Sequence, residues 1–365
     1  MSAPSVGVEE EFLLVDPHTG EPVAKNSDVA DIAARHGVEL QLELTTCQVE
    51  TTSDVAETSS QLRQQLTNLR QVTADAAVEA GATLLAVGLP PTVPHRFPIT
   101  DTPRYQQIGE RFGMIASEQG ICGCHVHVEV PDRDAAIAVS NRLRPWLPVL
   151  LALTANSAIY RNADSGHASW RSVLWGRWPS AGPPPYLESA AHYDAIVAMM
   201  IDAGAMLDDG MLYWDVRPSA KFPTVEVRVA DVPATVAETV LLATLTRAAA
   251  MTALAEHDRG LPAPRIDDHV LRAAYWKAAR DGLDGQAIDV VDDCANAPTS
   301  RVLGRWLTAL QPALQELGDD EWVRAEVARL LQDGNGAMRQ RRAWQSRGEV
   351  SDVVAEAAAA TVRLA

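Results

Sequence analysis

Charged residues at every second position, in segments whose other positions are apolar, constrain this chain more than any other feature. In Val6–Val15 the period of two of an extended strand sets Glu9 and Glu11 on one face, with Val8, Phe12 and Leu14 on the other. Val38–Leu44 sets Val38, Leu40, Leu42 and Leu44 against Glu39, Gln41 and Glu43, and Glu50 follows beyond Thr45-Thr46-Cys47-Gln48. Cys124–Val130 aligns His125 and His127, with Glu129 beyond them, and stops at Pro131. Tyr213–Arg217 aligns Tyr213, Asp215 and Arg217; Thr224–Val229 aligns Thr224, Glu226 and Arg228; the segment between reads as the loop of a hairpin. With the short apolar run Thr83–Gly88, six strands are expected. Strands of this kind require a sheet packed on a core by one face and polar on the other.

Helices supply the cover. Ser59–Ala80 repeats Leu62, Leu66, Leu69, Val72, Ala76 and Ala80 at three- and four-residue spacing. Asp134–Tyr160 is long and apolar but carries Pro145 and Pro148, which predicts two helices or one kinked helix. Thr235–His257 starts at a threonine cap and ends before Gly260, and the chain reads as helical from about Asp267 onward. Residues 161–187, with Gly166, Gly176, Gly182 and Pro183-Pro184-Pro185, form a long loop of the sort that usually carries function. Hydrophobic residues make up 47% of the chain, enough for a sizeable core. With no repeat and no low-complexity linker, the expectation is one α+β unit spanning residues 1–365.

Composition excludes some partners. The net charge of −17 offers no basic stripe for a nucleic acid. No window approaches eighteen consecutive apolar residues, and MSAPSVGVEEEF has neither the basic nor the apolar part of a signal peptide. Cys47, Cys122, Cys124 and Cys294 lack zinc-site spacing, which suits buried, reduced thiols in a cytoplasmic protein.

A solvated strand face would explain any one of these polar rows, but not all of them together. Two carboxylates about 4 Å apart repel by roughly 1 to 4 kcal/mol, so five or six on one sheet call for cations among them. Oxygen-rich sets with one or two histidines suit Mg²⁺ or Mn²⁺ better than structural zinc. A metal-dependent hydrolase is the alternative, with His125 and His127 joined by Asp215 or Asp231. A carboxylate-rich binding protein is another, although it would not need Arg217 and Arg228 threaded between Asp215 and Glu226. Glu10 points toward the helix-covered face, and the sequence shows no partner for it. No Gly-x-x-x-x-Gly-Lys-Ser/Thr phosphate loop is present.

Five elements in order are Gly7-Val8-Glu9-Glu10-Glu11-Phe12, Glu43 to Glu50, Cys122-Gly123-Cys124-His125-Val126-His127-Val128, Trp170-Arg171 to Pro185, and Trp214-Asp215-Val216-Arg217-Pro218-Ser219 with Thr224 to Arg228. Together they resemble the bacterial carboxylate–amine ligases, the type 2 glutamate–cysteine ligases of glutamine synthetase-like fold. The resemblance runs over nearly the whole chain, including Trp276 to Leu283 and Gly336 to Arg341. It implies a curved, mainly antiparallel six-stranded sheet forming a funnel for ATP and substrates, with helices on the outer face. It implies Glu9, Glu11, Glu43, Glu50, His125 and Glu226 as metal ligands. Arg228 falls beside the transferred phosphate and, with Glu226, at the catalytic centre. Arg171 falls in the substrate-recognition segment, with His127 and Arg217 on the substrate side. The implied reaction is ATP- and Mg²⁺-dependent joining of an acid to an amine through an acyl phosphate, after the pattern of L-glutamate and L-cysteine, by a homodimer. The identity of the acid and amine is left open.

Overall fold

The computed structural model describes residues 3–363 apart from His95 and Gln119; Met1 and Ser2 of the N-terminal segment, with Leu364 and Ala365, lie outside the described residues. Val6–Val15 forms strand β1 over its whole expected span, with Val8 and Phe12 buried in the core and Glu9 and Glu11 on the open side. Around it lie β2 (Gln41–Leu42), β3 (Gln48–Thr52), β4 (Thr83–Leu85) and β5 (Gly123–Glu129). A small hairpin, β6 (Ile159–Tyr160) and β7 (Ala163–Asp164), stands apart. Strands β8 (Val216–Pro218) and β9 (Thr224–Asp231) complete the main sheet, and β10 (Gln286–Asp289) pairs with β11 (Ala295–Pro298) in a second hairpin. The order is β2-β3-β1-β5-β9-β8, with β4 also on β1, and every pairing is antiparallel.

The sheet has seven strands, one more than expected. Strand β3 lies in a stretch read as a connection, because Gln-Val-Glu-Thr-Thr has little apolar alternation; its pairing with both β1 and β2 makes it a strand. Val38–Leu44 yields only β2. Val38 closes the preceding helix instead, its N–H donating to Ala33 O after Gly37 turns through a φ of +80°. Tyr213–Arg217 becomes extended only at Val216, so its expected alternation does not hold at residues 213–215.

On the outer face, the Ser59–Glu79 helix is fixed by a capping box between Thr58 and Gln61. The prolines divide the next expected helix as anticipated, into Arg133–Leu143, a 3₁₀ turn at Arg144–Trp146, and Leu147–Thr154. Val236–Asp258 starts where the Thr235 side chain accepts from the Glu238 N–H. By length and hydropathy this helix is apolar enough to cross a membrane, beyond what the sequence reading allowed, yet 94% of its most apolar window is buried inside the protein. It forms the spine of the main core with Leu62, Leu66, Val126, Val227 and Leu150. The C-terminal third is helical as expected, apart from the β10–β11 hairpin.

Glu10 finds its partner on the Ser59–Glu79 helix. Arg70 donates to both Glu10 oxygens, at 3.1 and 2.6 Å, with the pair fully buried. The same guanidinium reaches Pro233 O, Ala234 O and Thr361 O. It therefore ties β1 to the start of the Val236–Asp258 helix and to the end of the Val350–Thr361 helix. Cys47, Cys122 and Cys124 are buried and free; Cys294 is free but exposed, in a turn, contrary to the expectation for all four.

Candidate active site

The strand register carries the polar residues into rows on the open face. Glu11 stands opposite Glu50, Glu9 opposite His125, His127 opposite Glu226, and Glu226 opposite Arg217. Glu43 follows directly after β2. All ten residues that the family resemblance implied for the site line one cavity of about 1080 Å³: Glu9, Glu11, Glu43, Glu50, His125, His127, Arg171, Arg217, Glu226 and Arg228.

At its floor, His125 Nδ1 lies 3.0 Å from Glu9 and its Nε2 lies 3.6 Å from Glu11, while His127 Nε2 lies 3.5 Å from Glu9. The main-chain N–H of Gly123 donates to Glu11 at 2.6 Å. Two sets of atoms lie within 4.8 Å of one another: Glu9, His125 and Glu226, and Glu11, Glu50 and His125. Glu43 belongs to neither set. Glu226 is held by Arg217, through Nε at 2.8 Å and Nη2 at 3.3 Å, and by Arg228 Nη1. Arg217 also donates to Leu212 O, so its guanidinium is engaged within the protein.

These contacts divide the carboxylates in two. Burial would raise Glu9 and Glu226, but hydrogen bonds from His125 and His127 to Glu9, and the charges of Arg228 and Arg217 beside Glu226, hold both below the usual carboxylate range. Burial and then the Glu11 charge push Glu43 up to about 8. Burial and then Glu43, Glu9 and Glu11 push Glu50 well up. Burial, then Arg228, pushes His125 down, which favours the neutral, ligating imidazole. The cluster thus holds more carboxyl groups than its arginines can pair with, and its donors are carboxylate oxygens with one imidazole. That donor chemistry fits a hard divalent cation.

The opposite wall comes from segments with no strand pattern. The long loop contributes the short helix Trp170–Trp175, capped by Ser169, and with it Arg171, Trp175 and, beyond, Trp178. Arg171 is buried, its Nη1 donating to Val229 O at 3.3 Å. The Trp175 and Trp178 rings lie 4.7 and 5.4 Å from Tyr213. Arg104 and Tyr105, from a helix at Pro103–Phe112 that the sequence reading missed, join Asp208 there, with Arg104 bound to Asp208 at 2.8 and 2.9 Å. Of this wall, the sequence marked only the tryptophan-rich loop and Tyr213.

Asp215 and Asp231 do not complete a ligand set with the histidines. Asp215, expected beside Tyr213 and Arg217, lies ahead of β8 and is fully enclosed near Tyr275, where burial pushes it up to about 6. Asp231 accepts from the Asn156 N–H and from the Ser157 and Ser169 hydroxyls. Neither lines the cavity. The ligand set behind the hydrolase reading is therefore not assembled.

Residues 5–356 match the sequence profile of "Glutamate-cysteine ligase family 2(GCS2)". A relative from Mycolicibacterium smegmatis, named "Putative glutamate--cysteine ligase 2-3", is 67% identical over 98% of each chain. One from Nocardia farcinica, "Putative glutamate--cysteine ligase 2-1", is 58% identical over 99% of this chain and 94% of its own. Among solved structures, the glutamate–cysteine ligase of Francisella tularensis in complex with AMP superposes with a TM-score of 0.72 at 13% identity, covering 99% of this chain and 89% of that one. A bifunctional glutathione synthetase from Pasteurella multocida gives 0.68 at 15% identity, over 98% of this chain and 52% of that one. These two show that the fold is shared, as the α+β, glutamine synthetase-like expectation required. The profile match and the close relatives go further: this chain belongs to glutamate–cysteine ligase family 2, whose members are ligases that form carbon–nitrogen bonds.

Proposed function

We propose that the cavity binds ATP with Mg²⁺ and joins a carboxylic acid to an amine through an acyl phosphate, with L-glutamate and L-cysteine as the first pair to test. The observation that carries this reading is the meeting, in one cavity, of Glu9, Glu11, Glu43, Glu50, His125 and Glu226 with Arg228 and Arg171. The six acidic and imidazole side chains would hold Mg²⁺, or Mn²⁺ in its place. When bound, the metal supplies charge neutralisation for phosphoryl transfer between anions.

The protein's own groups do the rest. A carboxylate is a poor acyl donor because its leaving group would be oxide; phosphorylation supplies a good one. Arg228 is buried beside the cluster, where a fixed guanidinium stabilises charge that develops on phosphoryl oxygens. Glu226 orients Arg228 and Arg217 at once, coupling the metal side of the floor to its cationic side. Arg171 faces the acid substrate, with His127 and Arg217 lining the same space. No side-chain nucleophile is needed. The reading places the enzyme in the cytoplasm, acting on small molecules as a homodimer over a single catalytic unit.

The test is ADP release across acid and amine pairs, with mass detection of the amide. The expected result is turnover that needs both Mg²⁺ and the amine. Amide hydrolysis without ATP, or ADP release indifferent to the amine, would refute the proposal.

A further inference from the structure

Parity along β9 puts Asp231 with Val225, Val227 and Val229, on the core face. The pairing places it elsewhere. Strands β5 and β9 stay in register from Glu129 opposite Thr224 to Val126 opposite Val227, but Cys124 then stands opposite Ala230, so β9 carries one extra residue across from His125. This β-bulge at Arg228 and Val229 rephases the strand and brings Asp231, opposite Gly123, to the side of Arg171. The Val229 carbonyl at the bulge is the acceptor for Arg171 Nη1.

Asp231 is fully buried. Its Oδ2 accepts from the Asn156 N–H at 2.8 Å and the Ser157 hydroxyl at 2.7 Å; its Oδ1 accepts from the Ser169 hydroxyl at 2.8 Å and lies 3.7 Å from Arg171 Nη1. Ser157 Oγ in turn accepts the Arg171 N–H at 3.0 Å. One carboxylate thus fixes both ends of the segment that delivers Arg171, and also faces its guanidinium. The three hydrogen bonds need only an acceptor, which an amide oxygen and a reoriented hydroxyl could satisfy. The negative charge has a different use: among the described residues, Arg171 is the one cation in ion-pair range of Asp231. The seat is closely fitted, since a Cβ on Gly123 would come within 2.3 Å of Arg171 Nη2. Among the described residues Arg171 Nε has no hydrogen-bond partner, and the residue lines the cavity.

We propose that Asp231 is a positioning residue for binding of the acid substrate: through the bulge and Ser157 it sets the Arg171 guanidinium at the cavity wall. The inference rests on the ligase reading, in which Arg171 meets the acid. Asp231→Asn keeps the size and one acceptor oxygen, for the Asn156 N–H and the Ser157 hydroxyl, turns the other position into a donor toward Ser169, and removes the charge. At saturating Mg²⁺, ATP and L-cysteine, it raises KM for L-glutamate about tenfold or more, the loss expected when a charge-assisted contact is misplaced. The kcat and the KM for ATP stay within about threefold, as for a contact equal in ground and transition states. Arg171→Ala raises the same KM, and the double variant is no worse than Arg171→Ala alone. Unchanged KM in a natively melting Asp231→Asn, or effects that multiply in the double variant, would overturn the proposal. Should Asp231→Asn not fold, Ser157→Ala cuts the relay with the charge kept; a KM rise of about threefold supports the proposal and no rise overturns it. An unchanged KM in Arg171→Ala itself refutes the assignment of Arg171 to the acid, a separate failure.

Discussion

Without metal, the carboxylate cluster limits its own repulsion by keeping protons, and that makes the metal-free protein sensitive to alkali. Burial and the Glu11 charge move Glu43 from 4.5 up to about 8. Between those two values the folded protein retains a proton that the unfolded chain has released. The unfolded state then binds fewer protons, so stability is full below the lower value and falls as pH rises through the upper one. At 1.36 kcal/mol per unit, the span of 4.5 to about 8 sets a ceiling of about 5 kcal/mol. Water in the open cavity brings the expected loss to about half of that. For a 365-residue chain, losing 1 kcal/mol lowers Tm by roughly 1.3 °C, so a drop of about 3 °C is expected as pH rises from 4.5 to about 8, with little further change above it. Glu50, pushed up in the same direction, adds to it. The assay is calorimetry of the protein in chelator across this range, repeated with excess Mg²⁺. Metal binding replaces the retained protons, so Mg²⁺ should raise Tm more at the alkaline end. Glu43→Gln, which has no proton to lose, should flatten the metal-free slope. A wild-type melting point that is level with pH in chelator, or a Glu43→Gln slope equal to the wild type's, would refute the reasoning.

Two further outcomes are expected. Arg228→Lys should lower kcat by about tenfold or more with little change in KM for ATP, because a point charge replaces a planar fork that acts as charge develops; steady-state kinetics with raised KM and intact kcat would demote Arg228 to a binding residue. Glu10→Gln should cost about 3 to 5 kcal/mol in denaturant unfolding, since it leaves the Arg70 charge buried beside a neutral partner; joint replacement by Glu10→Leu and Arg70→Met should recover much of that loss.

Strand β1 was legible because its two faces differ in every residue that matters, and the same alternation delivered His125, His127, Glu226 and Arg228 to one side. Antiparallel pairing then does what no single segment announces: it places Glu9 opposite His125 and Glu11 opposite Glu50. Where the period is interrupted, parity misleads. The bulge opposite His125 reverses it at Asp231, and the late start of β8 removes Asp215 from the face of Arg217. Strand β3 exists through its neighbours rather than its own propensity. Arg104, Asp208 and Trp178 reach the cavity from helices and turns, where nothing in local spacing marks the side that faces a ligand. Arg70, the partner of Glu10, is sixty residues away, and only the packing of helix on sheet reveals it.

The Arg70 node also has a meaning in time. Its guanidinium binds Glu10, in the first strand, and the Thr361 carbonyl, in the final turn of the Val350–Thr361 helix. During synthesis these two leave the ribosome roughly 350 residues apart, about 20 to 70 s at ordinary elongation rates. Through that interval Glu9 and Glu11 hang from a strand whose buried anchor is incomplete. A nascent chain stopped short of Thr361 would lack one of the contacts that seat Arg70 under β1, so the buried anchor of that strand is completed late, by a helix that never touches the cavity.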